Sequence, residues 1–195
     1  MELHLSLGHH PDPEVAVGAL ANNGAYFRTC WGPLIGPFSV DVTDVVMRHV
    51  CQGPVETSVD AFSWQIIPEP ADLAVRSFTT LRTLRELGDN DLGSFRMSPT
   101  RADFVVFRQV PLVRATDLAR LTDPELGAHA LALVEVNERR ARAGRLPILP
   151  PSWVAERLDR SRTAAEVRPV EPGPALTAQL GRLGSAPVEP QAHSL

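Results

Sequence analysis

The clearest pattern of apolar and polar positions along the chain lies in residues 93–144. Phe95 and Met97 alternate with polar neighbours, residues 98–101 have the composition of a turn, and residues 104–107 form a dense run of valine and phenylalanine. Alternating apolar residues and β-branched or aromatic runs are typical of strands, and a proline within a short polar stretch is typical of a turn. The pattern therefore predicts a hairpin of two strands.

A helix is predicted after this hairpin. Thr122 and Glu125 have the spacing of a capping box, and Pro124 between them suits the first turn of a helix. Gly144 is suited to end the helix, because glycine adopts the left-handed conformation found after helix C-termini without strain. The residues that helical spacing places on one face of this helix are Leu126, Ala130, Leu133, Val134 and Asn137.

Weaker patterns predict the other elements. Residues 13–21 indicate a short helix, residues 25–31, 38–42 and 61–67 indicate three strands, and residues 70–88 indicate a second helix. The apolar residues that recur at helical spacing in that second helix are Ala74, Phe78, Leu81 and Leu84. Strands that come in runs, rather than alternating with helices, favour an antiparallel sheet. The prediction is thus an α+β fold, an antiparallel sheet of about five strands with helices in the order α-βββ-α-ββ-α.

The chain is expected to contain one folded domain with extensions. An N-terminal extension is predicted for residues 1–12, a single α+β domain for residues 13–146, and a short helical appendage for residues 147–167. The Pro-rich residues 168–195 are predicted to be a disordered tail. Within the domain, residues 43–58 fit either a continued strand or a helical turn, and the sequence leaves that choice open.

Composition excludes several classes of function. The formal net charge of −4 does not favour nucleic acid or an anionic membrane as a partner. Every one of the 19 basic residues is arginine. Without lysine the chain has neither a Schiff-base lysine nor the lysine of a phosphate-binding loop, so pyridoxal-phosphate enzymes and standard P-loop nucleotide hydrolases are excluded.

The two cysteines and the N-terminus bear on the compartment. Cys30 and Cys51 are too few for a disulfide framework, and Met1 to His4 lack the basic start of an export signal. No window approaches 18 uninterrupted apolar residues, so no membrane span is expected. We therefore expect a cytoplasmic protein with reduced thiols.

Candidate catalytic and metal-ligating residues are few. His9 and His10 are adjacent and point to opposite sides of an extended chain, so they do not readily share one metal ion. His49 and Cys51 lie two residues apart and would share a face in a strand, where a thiol–imidazole pair is conceivable. No nucleophile elbow, dinucleotide-binding glycine motif or zinc-protease motif occurs. No cofactor or metal site is therefore predicted.

An apolar surplus is the more informative candidate. A Gly- and Pro-rich stretch that is predicted as a loop carries several large apolar side chains, which must pack either in the core or against a partner. If they form an interface, aromatic residues are the expected anchors. The residues predicted to contact a peptide or partner protein are Trp31, Leu34, Ile35, Phe38 and Trp64.

The order of predicted elements is similar to that of class I type III secretion chaperones and the related YbjN-like proteins. Locally, residues 84–97, the strand and Leu-Pro-Leu-like step of residues 104–112, and the helix after Thr122 resemble that family. The resemblance implies a protein that binds peptide segments or partner proteins, often as a dimer, and that has no catalytic constellation.

The sequence thus favours a non-enzymatic, chaperone-like protein that binds a client at a sheet edge or in an apolar groove. A homodimer is possible. Two alternatives stay open. One is a small metal- or thiol-dependent enzyme that uses His9, His10, His49 or Cys51. The other is a regulatory or immunity-type partner in a two-gene system.

Overall fold

The computed structural model describes residues 1–18, 20–67 and 72–167. The chain divides into two units, Met1–Leu158 and Asp159–Leu195, and every site discussed below lies in the first. The tail predicted for residues 168–195 lies outside the described residues. The strands are β1 (Glu2–Gly8), β2 (Val55–Ser58), β3 (Gly93–Met97) and β4 (Arg101–Phe107). The helices are α1 (Pro13–Gly18), α2 (Gly32–Ile35), α3 (Pro37–Val50), α4 (Val59–Ile66), α5 (Leu73–Asp89), α6 (Asp123–Arg142) and α7 (Ser152–Val167).

The four strands form one mixed sheet in the order β2-β1-β4-β3. The two central strands are parallel, with Leu5 of β1 opposite Phe104 of β4. Both outer strands are antiparallel to their neighbours. The class of the fold is therefore α+β, as the sequence predicts, whereas the predicted antiparallel sheet of five strands and the predicted order of elements are wrong.

Alternation along the central strands divides the sheet into two faces. Leu3, Leu5, Phe104 and Val106 point to the side covered by helices and are fully buried. The opposite face carries charged side chains, because successive residues of a strand point to opposite faces of the sheet. There the Arg101 guanidinium lies 2.8 Å from Asp103 and 3.9 Å from Glu56, and His4 lies 3.4 Å from Glu56. The apolar core therefore sits on one side of the sheet only.

The N-terminal segment corrects the prediction most strongly. Residues 1–12 were predicted as a loose extension, yet Glu2–Gly8 form β1, one of the two central strands. The Glu2 N–H donates to the Thr100 carbonyl at 3.0 Å, and the Arg108 N–H donates to the Gly8 carbonyl at 2.8 Å. The segment pairs with strands that are remote in sequence, so local pattern alone does not reveal its role.

The three strands predicted for residues 25–31, 38–42 and 61–67 are helical. Pro37 begins α3, and Val42, Val46 and Val50 recur every fourth residue on its buried face. The alternation visible in residues 38–42 is thus the start of a helical pattern that continues to Val50. The open stretch 43–58 resolves into the rest of α3, a turn and β2. Helix α4 begins at Ser58, whose hydroxyl accepts the Ala61 N–H at 3.1 Å.

Five predicted elements are confirmed. The hairpin is β3 and β4, the helices over residues 13–21 and 70–88 are α1 and α5, and the capped helix is α6. The Glu125 carboxylate accepts the Thr122 N–H at 2.7 Å, which is half of the predicted capping box. Gly93 is required in the hairpin, because a Cβ at this position would lie 2.6 Å from Cζ of Phe104.

Candidate functional site

The residues predicted to bind a partner are found in different surroundings. Trp31 is 1 % exposed, and its indole N–H donates to the Pro111 carbonyl at 2.9 Å. Leu34, Ile35 and Phe38 are half-buried and pack against the core. Trp64 of α4 is 54 % exposed. The structure therefore brings Trp31, Leu34, Ile35 and Phe38 into or onto the core and leaves Trp64 at the surface.

The burial of Trp31 follows from the helical conformation of its segment. A π-helical turn spans Phe27–Trp31 and directs Phe27, Cys30 and Trp31 inward. The prediction of a strand followed by a loop left these side chains available for an interface. In the structure they complete the core, and the aromatic anchor that remains exposed is Trp64.

Four exposed apolar side chains lie on α4 and α5, and we call them the α4–α5 patch: Trp64, Leu73, Val75 and Phe78. Phe78 is 67 % exposed. Val75 and Phe78 are three residues apart and therefore lie on one face of α5. Large aromatic side chains that remain in solvent beside other apolar ones are typical of a surface that binds another molecule.

Trp64 is held in place by a buried arginine. The guanidinium carbon of Arg76 lies 3.6 Å from the centroid of the Trp64 ring, and Arg76 is only 1 % exposed. A cation over the face of an indole ring is a favourable contact, most of all where water is excluded. One side of Trp64 is thus fixed on α5, so the ring is presented at the surface in a single orientation.

Hydroxyl groups also join α4 to α5 beneath the patch. The Ser77 hydroxyl donates to the Asp60 carboxylate at 2.7 Å, and it lies 3.4 Å from the hydroxyl of Ser63. Ser63 is fully buried and donates to the carbonyl of Val59. These polar contacts join the first half of α5 to α4 without using apolar side chains, and Leu73, Val75 and Phe78 remain exposed.

The face of α5 that is buried differs from the predicted one. Of the four apolar residues that recur at helical spacing, Ala74 and Phe78 are exposed, Leu81 is half-buried and Leu84 is fully buried. The residues that α5 buries are Arg76, Thr80, Thr83, Leu84 and Leu87. A buried row that starts with arginine and two threonines gives no apolar signal, so sequence reasoning did not identify Phe78 and Val75 as surface residues.

A second feature is a cleft between α1 and α6. This α1–α6 cleft contains a cavity of about 170 Å³ that is open to solvent on one side. Its apolar lining consists of Val15, Leu20, Val110, Leu112, Val136 and Ile148. Arg140, whose side chain is 11 % exposed, also lines the cavity and forms an ion pair with Glu14. Ile148 belongs to the segment that returns along α6, so part of the cleft is covered by the chain itself.

The histidines and cysteines considered for catalysis lie in structural contacts. His9 accepts a hydrogen bond from Gln109 at 3.2 Å, and His10 accepts the Asp12 N–H at 3.0 Å. His49 and Cys51 lie at the end of α3 rather than in a strand, and residues two apart in a helix do not face each other. Within residues 1–18, 20–67 and 72–167, no group of three or more His, Cys, Asp and Glu side chains is placed to hold a metal ion.

A buried polar cluster connects α6 to the π-helical turn. The Tyr26 hydroxyl accepts the Val113 N–H at 2.8 Å and lies 3.0 Å from Nδ1 of His129. Burial lowers the pKa of His129 and raises the pKa of Tyr26. Burial also raises the pKa of Cys30 to about 12, so this thiol stays protonated and is a poor nucleophile at neutral pH.

Comparison with known proteins finds no matching family model, no similar curated protein and no similar solved structure. Among the described residues, no helix combines the length and the apolar character needed to cross a membrane. The description of function therefore rests on the two surfaces, the α4–α5 patch and the α1–α6 cleft.

Proposed function

We propose that this chain is a non-enzymatic, chaperone-like protein that binds a partner polypeptide on the α4–α5 patch. The observation that carries the proposal is the exposure of Trp64 and Phe78, which are 54 % and 67 % exposed although the core beneath them is complete. Aromatic residues of this kind dominate the energetics of protein interfaces. Fully burying one such side chain contributes about 2 kcal/mol.

The presentation of the patch favours binding over accidental exposure. Because Trp64 is stacked on Arg76, little freedom of its ring is lost when a partner covers it. Val75 and Phe78 project from a helix of 17 residues, which is a rigid support. We assign binding to the patch rather than to a sheet edge, because β2 has four residues and β3 five, and short edge strands offer few backbone groups.

The finer points of the hypothesis belong to the same proposal. The resemblance to class I type III secretion chaperones and YbjN-like proteins rests on the hairpin and α6, and the order of the other elements departs from the order expected for that family. A regulatory or immunity-type protein of a two-gene system would bind a single client on the same patch. A cytoplasmic location agrees with the free thiols of Cys30 and Cys51, and a homodimer would use the same patch.

The test compares two matched pairs of exposed apolar residues. Val75→Ser with Phe78→Ser removes half of the patch, and Leu131→Ser with Val134→Ser removes two equally exposed residues of α6. A partner identified by co-purification and mass spectrometry is then expressed, and its Kd is measured for each variant. We expect the first pair to weaken binding at least tenfold, equivalent to about 1.4 kcal/mol, and the second pair to leave it unchanged.

Sedimentation of the purified chain accompanies this experiment. If the patch joins two copies of the chain, the first pair of substitutions converts a dimer into a monomer and the second pair does not. Equal binding and equal mass for all variants would contradict the proposal, and a loss of binding with both pairs would show that the patch has no special role.

A further inference from the structure

The segment of residues 145–151, which we call the strap, returns along α6 after the helix ends. Its backbone is held by α6 side chains. The Ile148 N–H donates to Oδ1 of Asn137 at 2.8 Å, and the Ile148 carbonyl accepts Nδ2 of Asn137 at 2.9 Å. The Leu146 carbonyl accepts Nε of Arg140 at 2.8 Å. One amide side chain thus contacts both backbone groups of one residue, as a receptor does with an extended peptide.

The sequence of the strap favours an extended conformation. Pro147, Pro150 and Pro151 have a fixed φ, and proline restricts the residue before it to extended conformations, which here are Leu146 and Leu149. Such a segment favours the polyproline II helix, which has three residues per turn and no internal hydrogen bonds. Its backbone groups therefore need outside partners, and Asn137 and Arg140 supply them.

The exposure of side chains along the strap follows the same period of three. Leu146 and Leu149 are 83 % and 81 % exposed. Ile148, which is 38 % exposed, lines the cavity of the α1–α6 cleft, and Pro151, three residues later, is half-buried. One edge of the strap thus contacts the domain while another faces solvent, which is how a bound polyproline II ligand is arranged.

The cleft is not filled by the strap. A cavity of about 170 Å³ remains beside Ile148, with Leu20, Val110 and Val136 among its walls. A cavity of this size accepts an additional ring or branched side chain. Leu146 and Leu149 make little contact with the domain, and the strap hydrogen bonds of Asn137 and Arg140 are exposed to solvent. The resident segment is therefore a weakly held occupant of a larger site.

We propose that the α1–α6 cleft is a binding site for an extended, proline-flanked apolar segment of a partner protein, and that the strap occupies it as a resident ligand. The side chain between the prolines enters the cavity, and Asn137 binds the backbone of that residue. Gly144, with a φ of +68°, precedes the strap and allows the chain to reverse its direction after α6. This site is separate from the α4–α5 patch and does not depend on the function proposed for it.

The test uses a fluorescein-labelled synthetic peptide with the sequence of residues 145–152 as the probe, added to the full-length chain. Ile148→Ser in the protein weakens the resident ligand and leaves the walls contributed by α1, α6 and residues 110–112 intact. We expect the peptide to bind the I148S chain at least tenfold more tightly than the wild-type chain, because an intramolecular competitor acts at a high effective concentration. Adding Asn137→Ala to I148S should reduce binding at least tenfold, and adding Leu131→Ser should leave it unchanged.

The peptide itself provides a second comparison. Replacing its isoleucine by serine should abolish binding, and replacing it by phenylalanine should tighten binding, because the cavity has room for a ring. Equal binding of all three peptides, or no effect of N137A, would overturn the proposal. Val75→Ser with Phe78→Ser should leave peptide binding unchanged, so that failure at the cleft is distinguishable from failure at the patch.

Hydrogen exchange of the wild-type chain keeps the test decisive if I148S does not fold. The Ile148 amide should be protected in the wild type and unprotected in N137A. A saturating amount of the phenylalanine peptide should release the strap and remove the protection of the same amide. Protection that persists with the peptide present would show that the strap is a fixed part of the domain, and the proposal would be wrong.

Discussion

The α4–α5 patch and the α1–α6 cleft offer similar apolar chemistry, but among the described residues only the cleft is covered by a later segment of the chain. After α6 the chain turns at Gly144 and returns along the helix, so Ile148 reaches the cleft. After α5 the chain enters the β3–β4 hairpin and joins the sheet. The difference teaches that coverage of a helix surface depends on where the following segment leads, and not only on how apolar the surface is.

The second difference between the regions is how their side chains are fixed. In the patch, a buried cation supports an exposed ring, whereas in the cleft an amide on a helix supports an exposed backbone. The first arrangement presents side chains to a partner. The second arrangement recognises a backbone conformation, so the two surfaces suit different kinds of polypeptide segment.

The largest expected effect is on stability, and it distinguishes Trp31 from Trp64, both of which the sequence predicts to contact a partner. Trp31→Ala should lower the free energy of unfolding by about 4 kcal/mol, because it removes a buried ring and leaves a cavity. Trp64→Ala should cost clearly less stability, since its ring is half in solvent, yet it should weaken partner binding. Urea denaturation monitored by circular dichroism measures the first effect. A Trp31→Ala chain that keeps its stability would show that this residue does not belong to the core.

Arg76→Ala tests the support of the patch and should have a smaller effect. The substitution removes the cation beneath Trp64 together with the buried stem of the arginine, and we expect a loss of about 2 kcal/mol in the free energy of unfolding. The fluorescence of Trp64 should shift toward that of a solvated indole. Arg82→Ala, whose side chain is 68 % exposed on the same helix, should change stability by less than about 0.5 kcal/mol.

Similar fluorescence of the Arg76→Ala and wild-type chains would contradict the stacking described for Trp64. Peptide binding at the cleft should be unaffected by Arg76→Ala, because Arg76 does not belong to its lining. This comparison shows whether the two surfaces are independent.

The smallest expected effect is a dependence of stability on pH, which arises from His129 of α6. The pKa of His129 is lowered in the folded state by burial, so the unfolded chain binds a proton more readily than the folded chain. Stability should therefore fall as pH decreases below the ordinary pKa of histidine, about 6.5. Denaturant melts between pH 7.5 and 5 measure this slope, and His129→Gln should reduce it. An unchanged slope in that variant would assign the pH dependence to other groups.

Local signals decided which elements were predictable. The β3–β4 hairpin and α6 carry their own turn and cap residues, so the local sequence is sufficient to predict them. Residues 38–42 alternate like a strand, but Val42, Val46 and Val50 continue at helical spacing and pack as one face of α3. β1 also alternates, with Leu3 and Leu5 inward, and it was missed because its partner strand lies about a hundred residues away in sequence.

The candidate site was only partly predictable for a related reason. Sequence reasoning selected large apolar residues in and around a presumed loop together with Trp64 of a predicted strand, and Trp64 is the one among them that is exposed. Phe78 was assigned to an inner face because it is apolar, whereas α5 buries Arg76 and Thr80 instead. A buried polar row depends on tertiary contacts with α4, which no local pattern encodes. The contact of the strap with α6 was likewise not predictable, because no sequence pattern indicates that Asn137 binds the backbone of Ile148.

The parallel pairing of β1 with β4 has a consequence for synthesis on the ribosome. Leu3 and Leu5 are translated roughly a hundred residues before Ala102 and Phe104, the residues opposite them in β4. Until then the sheet lacks one of its two central strands, and the leucines of β1 can pack only with β2 and the helices translated before β4. Contacts between residues so far apart in sequence slow folding, because a long loop must close before they form. The nascent chain therefore exposes apolar side chains during a long interval of synthesis, in which molecular chaperones would bind it.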